Sequence, residues 1–495
     1  MRRALKTSVC QEKLESLSQE AVAVFTYEDH ETRTFKRFDR AMGGQLAKLK
    51  AQKEFLGKTG QAELLRIEGP IRWLLLVGLG ERRRATVETL RRAAGIAAKT
   101  ARQKAKSLLL IPPALPRVAK PAIISALVEG AQLASYRFVR YKTQGLEDLK
   151  DLTHLLVLVE ERREGRAAQK AIDETLAIVE GTLLARDLVN TPACDMTPAD
   201  LEREARRIAT KHKLSFTVFD AKELEKRRMH AILAVGKGSA VPPRMLILEY
   251  KKRGAKRHTV FCGKGVCYDS GGYNLKQKML ENMKDDMGGA AALLGMLDAV
   301  ATLGLKQHVT VIIGAVENMI DGKAYRAGDI VRASNGKTIE VANTDAEGRI
   351  VLADCLSYAS TRKPDTLIDL ATLTGAAMVA LGPLAAAVCS PNDALAEKLV
   401  ALGERTGDRA WRLPLWEDYK EDVKSEIADV KNLGHSFFAG VQAGAVFLQE
   451  FVEQPAHWAH IDIGAAVMED RERAYIPKGA TGWGVRILSR LLSDS

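Results

Sequence analysis

The sequence lacks the features that mark several common classes of protein. Its six cysteines are scattered over 495 residues and form no CxxC pair, which excludes a disulfide scaffold and indicates a reducing, cytosolic environment. The nine histidines include no HExxH motif, so a histidine-based metal site is disfavoured. No run of about 18 uncharged apolar residues occurs, and no apolar run follows the basic N-terminus as in a secretory signal. We therefore expect a cytoplasmic protein without a membrane-spanning segment.

Positive charge is in excess, but it is unevenly distributed. The chain has 74 Lys and Arg against 62 Asp and Glu, a net charge of +12. Residues 1–180 contain 33 basic and 22 acidic side chains, whereas residues 181–495 contain 41 and 40. Six basic residues fall on one stripe, about 100° wide, of a predicted helix: Arg84, Arg91, Arg92, Lys99, Arg102 and Lys106. This stripe is interpreted either as a solvated helix face or as a surface that binds DNA.

The hydrophobic pattern predicts an α/β protein with two domains. Short apolar runs alternate with helical segments over residues 1–160, and the alternation resumes from residue 191. Between these regions, residues 161–190 have the pattern of one long, charged helix. We expect each domain to contain a mostly parallel or mixed sheet flanked by helices. The predicted division is an N-terminal α/β domain at 1–160, a connecting helix at 161–190 and a C-terminal catalytic domain at 191–495.

Two polar segments follow predicted strands in the C-terminal part. They are GKGVCYDSGGYNLK at 263–276 and NTDAEGR at 343–349, and neither has the GxxxxGK[ST] spacing of a phosphate-binding loop. Strand ends of this kind border the ligand crevices of open α/β sheets. The segments and their surroundings supply four carboxylates, from Asp269, Asp286, Asp345 and Glu347. Converging carboxylates repel one another unless cations neutralise them, so the pattern favours a two-metal hydrolase. The alternative is a structural role as helix caps and turn residues.

The same segments resemble the leucyl aminopeptidase family of dizinc peptidases. NTDAEGR occurs together with a KGxxxDSGG pattern, and the similarity extends over nearly all of residues 181–495. The further matching stretches are DLVNTPACDMTP (187–198), VGKGS with PPRMLILEY (235–250), DDMGGAAA (285–292), ENM with DGKAYRAGD (317–329), DLATLTGA (369–376) and WAHIDIG (458–464). The N-terminal third is similar in its βα pattern and connecting helix.

The resemblance implies a ligand set for two divalent metal ions: Lys264, Asp269, Asp286, Asp345 and Glu347. Asp269 and Glu347 would bridge the ions, Lys264 and Asp286 would bind one of them, and Asp345 the other. A lysine ligand must be neutral, whereas the alternative is an ordinary ion-paired Lys264. Asp285 is an alternative to Asp286, because the loop after Lys276 is one residue shorter than is usual in the family.

The resemblance also implies the catalytic and substrate-binding residues. Lys276 would polarise the scissile carbonyl, and Arg349 would hold a bicarbonate ion that acts as general base on the bridging water. The metal near Lys264 would receive the α-amine of the substrate. The pocket for the substrate side chain would contain Met283, Thr372, Gly375 and Met468, for which core packing is the alternative role.

Taken with the composition, the resemblance predicts a cytoplasmic metal-dependent aminopeptidase. It would remove leucine and similar residues from the N-terminus of peptides and assemble as a homohexamer. The metals would be zinc or manganese, with cobalt or magnesium as alternatives in the exchangeable site. An additional DNA-binding regulatory role of the basic N-terminal domain is the alternative function.

Overall fold

The computed structural model describes residues 5–435 and 438–494. The chain forms two compact units, and the first contains a short segment from near the C-terminus. Unit 1 comprises Met1–Val179 and Asp470–Lys478, and unit 2 comprises Glu180–Glu469 and Gly479–Ser495. The boundary at residue 179 falls within one long helix, Gly165–Asn190, so this helix contributes to both units.

Unit 1 is built on a six-stranded sheet flanked by helices. Its strand order is β1-β6-β5-β2-β4-β3, with only the β3–β4 pair antiparallel among the described pairs. All six residues of β2 are buried, as expected for an apolar run that is covered on both faces. The strands are β1 (Lys6–Cys10), β2 (Ala21–Thr26), β3 (Ala62–Arg66), β4 (Trp73–Gly78), β5 (Ser107–Leu110) and β6 (His154–Leu158), and the helices are α1 (Arg33–Ala41), α2 (Gln45–Ala51), α3 (Val87–Ala101), α4 (Lys120–Ala134) and the shared α5 (Gly165–Asn190).

The basic stripe predicted on α3 is not a uniformly solvated face. Arg91 is buried and forms ion pairs with Glu88 and with Glu129, the latter at 2.9 Å. Lys99 Nζ lies 2.7 Å from the carboxylate of Glu472. The members of the stripe that are exposed are Arg84, Arg92 and Lys106. Half of the predicted stripe therefore takes part in packing within unit 1, because carboxylates from other parts of the same unit lie against it.

The segment 470–478 packs on the same helix. A Cβ atom added to Gly95 would lie 2.7 Å from the carbonyl oxygen of Ala474, so only glycine permits this approach. The hydroxyl of Tyr475 donates a hydrogen bond to Glu88 at 3.0 Å. These contacts explain why nine residues from the C-terminal part of the chain belong to unit 1.

Unit 2 contains a mixed eight-stranded sheet and two small sheets. The main sheet has the order β15-β14-β17-β13-β9-β10-β8-β7, and its four central strands, β17, β13, β9 and β10, are mutually parallel. The strands are β7 (Ser215–Phe219), β8 (Arg244–Lys251), β9 (His258–Asp269), β10 (His308–Asn318), β11 (Ile330–Arg332), β12 (Thr338–Glu340), β13 (Thr366–Ala371), β14 (Ala386–Cys389), β15 (Ala410–Arg412), β16 (Val430–Lys431), β17 (Trp458–Asp462), β18 (Met468–Glu469) and β19 (Gly479–Ala480).

Helices cover this sheet with two apolar clusters that together form its core. The helices are α6 (Pro198–His212), α7 (Ala221–Lys226), α8 (His230–Gly236), α9 (Gly288–Leu303), α10 (Glu347–Thr361), α11 (Gly375–Leu381), α12 (Asp393–Thr406), α13 (Gly440–Gln449) and α14 (Val485–Ser493). Within the described residues, one helical stretch, Leu280–Leu303, is long and apolar enough to cross a membrane, and 83% of its apolar window is buried in the protein. Such burial is typical of a core helix. The architecture confirms the predicted α/β class and mixed sheets.

Candidate metal centre and active site

The polar residues of unit 2 gather where its parallel strands end. β9 ends at Asp269, β10 at Asn318 and β17 at Asp462, and Thr372 follows the last residue of β13. Because these four strands are parallel, their carboxyl ends meet at one edge of the sheet, where α/β proteins bind ligands. The topology therefore brings the two predicted polar segments together.

Lys264 occupies the centre of this group, five residues before the end of β9. Its side chain is buried, and Nζ lies 2.6 Å from Asp286 Oδ1 and 2.8 Å from Glu347 Oε1. Nζ also donates a hydrogen bond to the carbonyl oxygen of Thr372 at 2.8 Å. Burial disfavours the charged ammonium, but the two carboxylates outweigh this effect and raise the pKa of Lys264 above its usual value.

Asp269 and Asp345 share a second lysine, Lys276. Nζ of Lys276 lies 2.8 Å from Asp269 Oδ2 and 2.5 Å from Asp345 Oδ1. The other oxygen of Asp269 accepts hydrogen bonds from the backbone N–H of Gly271 at 2.9 Å and from Asn318 Nδ2 at 2.7 Å. Asp269 is thus held in one orientation, while Lys276 connects it to the segment that contains Asp345.

The carboxylates approach one another closely enough to bind a cation. Donor oxygens of Asp269, Asp345 and Glu347 all lie within 4.8 Å of one another. Oδ2 of the buried Asp286 has no hydrogen-bond partner among the described residues. Glu347 Oε1 also forms no hydrogen bond there, although Lys264 Nζ lies 2.8 Å away as an ion-pair partner. Burial and neighbouring charge raise the pKa of Asp269 to about 6 and the pKa of Asp286 well above its usual value. Because a divalent cation would favour the ionised forms and use these oxygen atoms, the donor set fits a metal site.

Asp285 and Asp286, the two alternatives for one metal ligand, differ in burial and in their contacts. Asp286 is buried and contacts Lys264, and it accepts a hydrogen bond from the Thr372 hydroxyl at 2.8 Å. Asp285 is half-buried, and burial raises its pKa to about 7. The position of Asp286 supports its assignment as the ligand.

Arg349 lies in the first turn of α10, two residues after Glu347. It is 5% exposed, and its Nε and Nη1 groups have no hydrogen-bond partner in the described part of the chain. Burial lowers the pKa of Arg349 to about 10, although Glu347 and Asp462 oppose this shift. A buried guanidinium with two unused donors is suited to bind an anion.

The four residues predicted to bind the substrate side chain at this site lie in different parts of unit 2. Thr372 is part of the site through its contacts with Lys264 and Asp286. Gly375 begins α11 and has open space around its Cα, whereas Met283 lies in the short 3₁₀ helix Leu280–Asp285. Met468 is in β18 and packs against the larger core cluster. The role of the four residues in substrate binding stays a prediction.

Several residues that orient the site were not predicted. Asn318 Nδ2 donates to Asp269 and to the carbonyl oxygen of Thr344, and the Thr344 hydroxyl donates to the carbonyl of Gly271 at 2.6 Å. A Cβ at Gly348 would lie 2.5 Å from Lys264 Cε, so any larger residue at this position would displace the lysine side chain. The sequence signal for Asn318 is the polar pair Glu317 and Asn318, which follows the apolar run VIIGAV in β10.

Comparisons with known proteins agree with this geometry. Residues 183–489 match the catalytic domain of the cytosol aminopeptidase family, and residues 21–145 match its N-terminal domain. A probable cytosol aminopeptidase of Geotalea uraniireducens is 44% identical over 469 residues, which cover 93% of both chains. A protein of the same description from Roseiflexus castenholzii is 45% identical over 89% of this chain and 91% of its own.

Solved structures show the same similarity. A mutant of tomato leucine aminopeptidase superposes with a TM-score of 0.91 at 33% identity, covering 99% of this chain and 97% of its own. The bottromycin maturation enzyme BotP in complex with Mn gives a TM-score of 0.85 at 35% identity, covering 96% and 99%. On this evidence the chain belongs to the cytosol aminopeptidase family and is an aminopeptidase.

Proposed function

We propose that the protein hydrolyses the N-terminal residue from peptides, with leucine and similar residues preferred, at the carboxylate-rich edge of the unit 2 sheet. The observation that carries this proposal is the convergence there of Lys264, Lys276 and four carboxylates, one of which has an unpartnered buried oxygen, Asp286 Oδ2. Membership of an aminopeptidase family supports the reaction class.

The ligands of two divalent cations would be Lys264, Asp269, Asp286, Asp345 and Glu347. Cations beside Asp286 and Glu347 would neutralise these carboxylates in place of the Lys264 ammonium and would thereby favour the neutral amine that a lysine ligand requires. When bound, such cations supply Lewis-acid polarisation of the scissile carbonyl and lower the pKa of a nucleophilic water. The metals are zinc or manganese, with cobalt or magnesium as alternatives in the exchangeable site. The three clustered carboxylates and the Mn complex of the similar BotP support this assignment.

Lys276 would stabilise negative charge on the substrate oxygen. Burial lowers its pKa, but Asp269 and Glu347 more than compensate and raise it above the usual value. The ammonium therefore remains charged at neutral pH and can face a developing oxyanion. Its link to both Asp269 and Asp345 fixes it at the metal site before substrate arrives.

Arg349 would hold a bicarbonate ion that serves as general base. Its buried Nε and Nη1 groups have no hydrogen-bond partner in the described part of the chain, and a guanidinium N–H forms a strong, charge-assisted hydrogen bond with a carboxylate-like anion. A bicarbonate ion bound by Arg349 would supply a general base for the reaction.

The side chain of the substrate would enter a pocket that contains Met283, Thr372, Gly375 and Met468. We also propose a cytoplasmic location, which the description of the relatives as cytosol aminopeptidases supports. A homohexamer is proposed from the resemblance of the motifs alone. The proposal does not include DNA binding, because Arg91, Lys99 and Arg102 of the basic stripe face carboxylates within unit 1.

The test is cleavage of a leucyl chromogenic amide by the purified chain with its metal content measured on the same sample. We expect Asp345→Ala to lose metal and activity together while the far-UV spectrum and the unfolding temperature stay close to wild type. Asp418→Ala, which removes an exposed carboxylate outside the site, is the matched control. A metal-loaded wild type without peptidase activity, or an active Asp345→Ala, would refute the proposal.

A further inference from the structure

Asp462, the last residue of β17, is fully buried and organises the chain that follows β13. Its Oδ1 accepts hydrogen bonds from the backbone N–H groups of Leu373, Thr374 and Gly464 at 3.1, 3.4 and 3.0 Å. Its Oδ2 accepts one from the Thr374 hydroxyl at 2.6 Å. One carboxylate therefore binds four donors, three of them on two consecutive residues after β13.

Thr372, which precedes Leu373 and Thr374, contacts two of the proposed metal ligands. The carbonyl oxygen of Thr372 accepts a hydrogen bond from Lys264 Nζ, and its hydroxyl donates to Asp286 Oδ1, both at 2.8 Å. Thr372 thus orients the two side chains that would bind the same cation. Its own backbone position depends on the turn that Asp462 fixes.

We infer that Asp462 is a positioning residue of the metal site, which acts through the turn 372–374 on Lys264 and Asp286. This inference rests on the proposed function, since it assumes that these two side chains bind a cation. Partners that orient metal ligands commonly change metal affinity by about 10- to 100-fold when they are removed. Hydrogen bonds to a buried carboxylate are also stronger than neutral ones, so the turn is held firmly.

A second buried carboxylate separates this role from general stability. Asp369 lies on the neighbouring strand β13 and is as buried as Asp462. Its oxygens accept hydrogen bonds from Trp458 Nε1 at 2.7 Å and His460 Nδ1 at 2.6 Å, and these partners lie on β17 rather than on the turn. Loss of Asp369 should destabilise unit 2 without moving Thr372.

The experiment is a titration of the metal-free full-length chain with Mn²⁺, with thermal unfolding recorded on each sample. We expect Asp462→Ala to weaken Mn²⁺ binding about 10- to 100-fold, and Asp462→Asn, which retains the Oδ1 acceptor, to recover most of the affinity. Asp369→Ala should lower the unfolding temperature and leave the Mn²⁺ affinity within about threefold of wild type.

Thr374→Val and Thr374→Ser form a second pair in case Asp462→Ala does not fold. Valine removes the hydroxyl that binds Asp462 and should weaken Mn²⁺ binding, whereas serine should restore it. Wild-type affinity in Asp462→Ala or Thr374→Val, or an equal loss in Asp369→Ala, would overturn the positioning role. A wild-type chain that binds neither Mn²⁺ nor Zn²⁺, Co²⁺ or Mg²⁺ in the same titration would instead refute the proposed function, and the inference with it.

Discussion

Replacement of Gly348 by alanine tests how tightly the site is built around Lys264. The added Cβ would lie 2.5 Å from Lys264 Cε, 2.7 Å from Nζ and 2.8 Å from Cδ. Because normal contacts are longer by roughly 1 Å, the lysine must move by about that amount. It would then lose its 2.6 and 2.8 Å contacts with Asp286 and Glu347.

We expect Gly348→Ala to change the stability of the protein less than its activity. Overpacking costs about 1–3 kcal/mol, but alanine is about 1 kcal/mol better than glycine in a helix, so the unfolding temperature should change little. A misplacement of about 1 Å in an active site can lower the rate about 100-fold, which corresponds to about 2.7 kcal/mol of transition-state stabilisation. We expect this loss in kcat/KM for a leucyl amide, together with weaker metal binding.

Gly322→Ala is the control for Gly348→Ala, because a Cβ at Gly322 would meet no atom within 4 Å. It should leave both kcat/KM and metal content unchanged. If Gly348→Ala kept kcat/KM within about threefold of wild type, the close packing between residue 348 and Lys264 would not determine where the lysine side chain lies. The reasoning from the Cβ contacts would then be wrong.

Three further outcomes are expected. Asp286→Asn should lower metal content and activity, whereas Asp285→Asn should retain both; the reverse result would show that Asp285 is the ligand. Burial and the stacked His308 lower the pKa of His258 in the folded chain to about 4. Between about pH 6.5 and pH 4 the unfolded chain therefore binds more protons at this residue than the folded chain does. The free energy of unfolding should decrease as the pH falls through this range. Urea unfolding at pH 7 and pH 4.5 should show a smaller acid effect in His258→Phe, and an equal effect would contradict this sign. A gel-shift assay of the full chain at low salt should show no DNA complex, because half of the basic stripe is engaged within unit 1; a complex that weakens steeply with salt would contradict it.

The sequence was sufficient to predict the fold class, and its motifs contain the carboxylates and lysines that the structure brings together. Alternating strand-like and helical segments predicted mixed sheets with helices, and two motifs that follow strands predicted where the carboxylates converge. This worked because parallel strands bring their carboxyl ends together, so that Asp269 and Glu347 become neighbours although 78 positions separate them. At the carboxyl edge of a parallel sheet, a polar motif that follows a strand therefore also indicates where its residues lie in the fold.

Features that depend on close approach of distant segments were not predictable in the same way. The helical periodicity placed Arg91 on a basic face, but it could not reveal that Glu129 of another helix lies beside it. In the folded chain Arg91 is buried and forms an ion pair with Glu129. Likewise, Gly348 lies in the NTDAEGR segment and Asp462 in the WAHIDIG segment, but neither motif shows what these two residues contact. Their importance follows from contacts with the turn 372–374 and with Lys264, which exist only in the folded chain.

The segment 470–478 has a consequence for synthesis of the protein. During translation, Glu472 and Tyr475 leave the ribosome more than 370 residues after helix α3, whose residues Lys99 and Glu88 they contact. Unit 1 therefore cannot reach its final form as an independent nascent domain. An expressed fragment that ends at residue 179 would lack these contacts and expose the surface around Gly95, so the two units should be produced as one chain or with this segment grafted back.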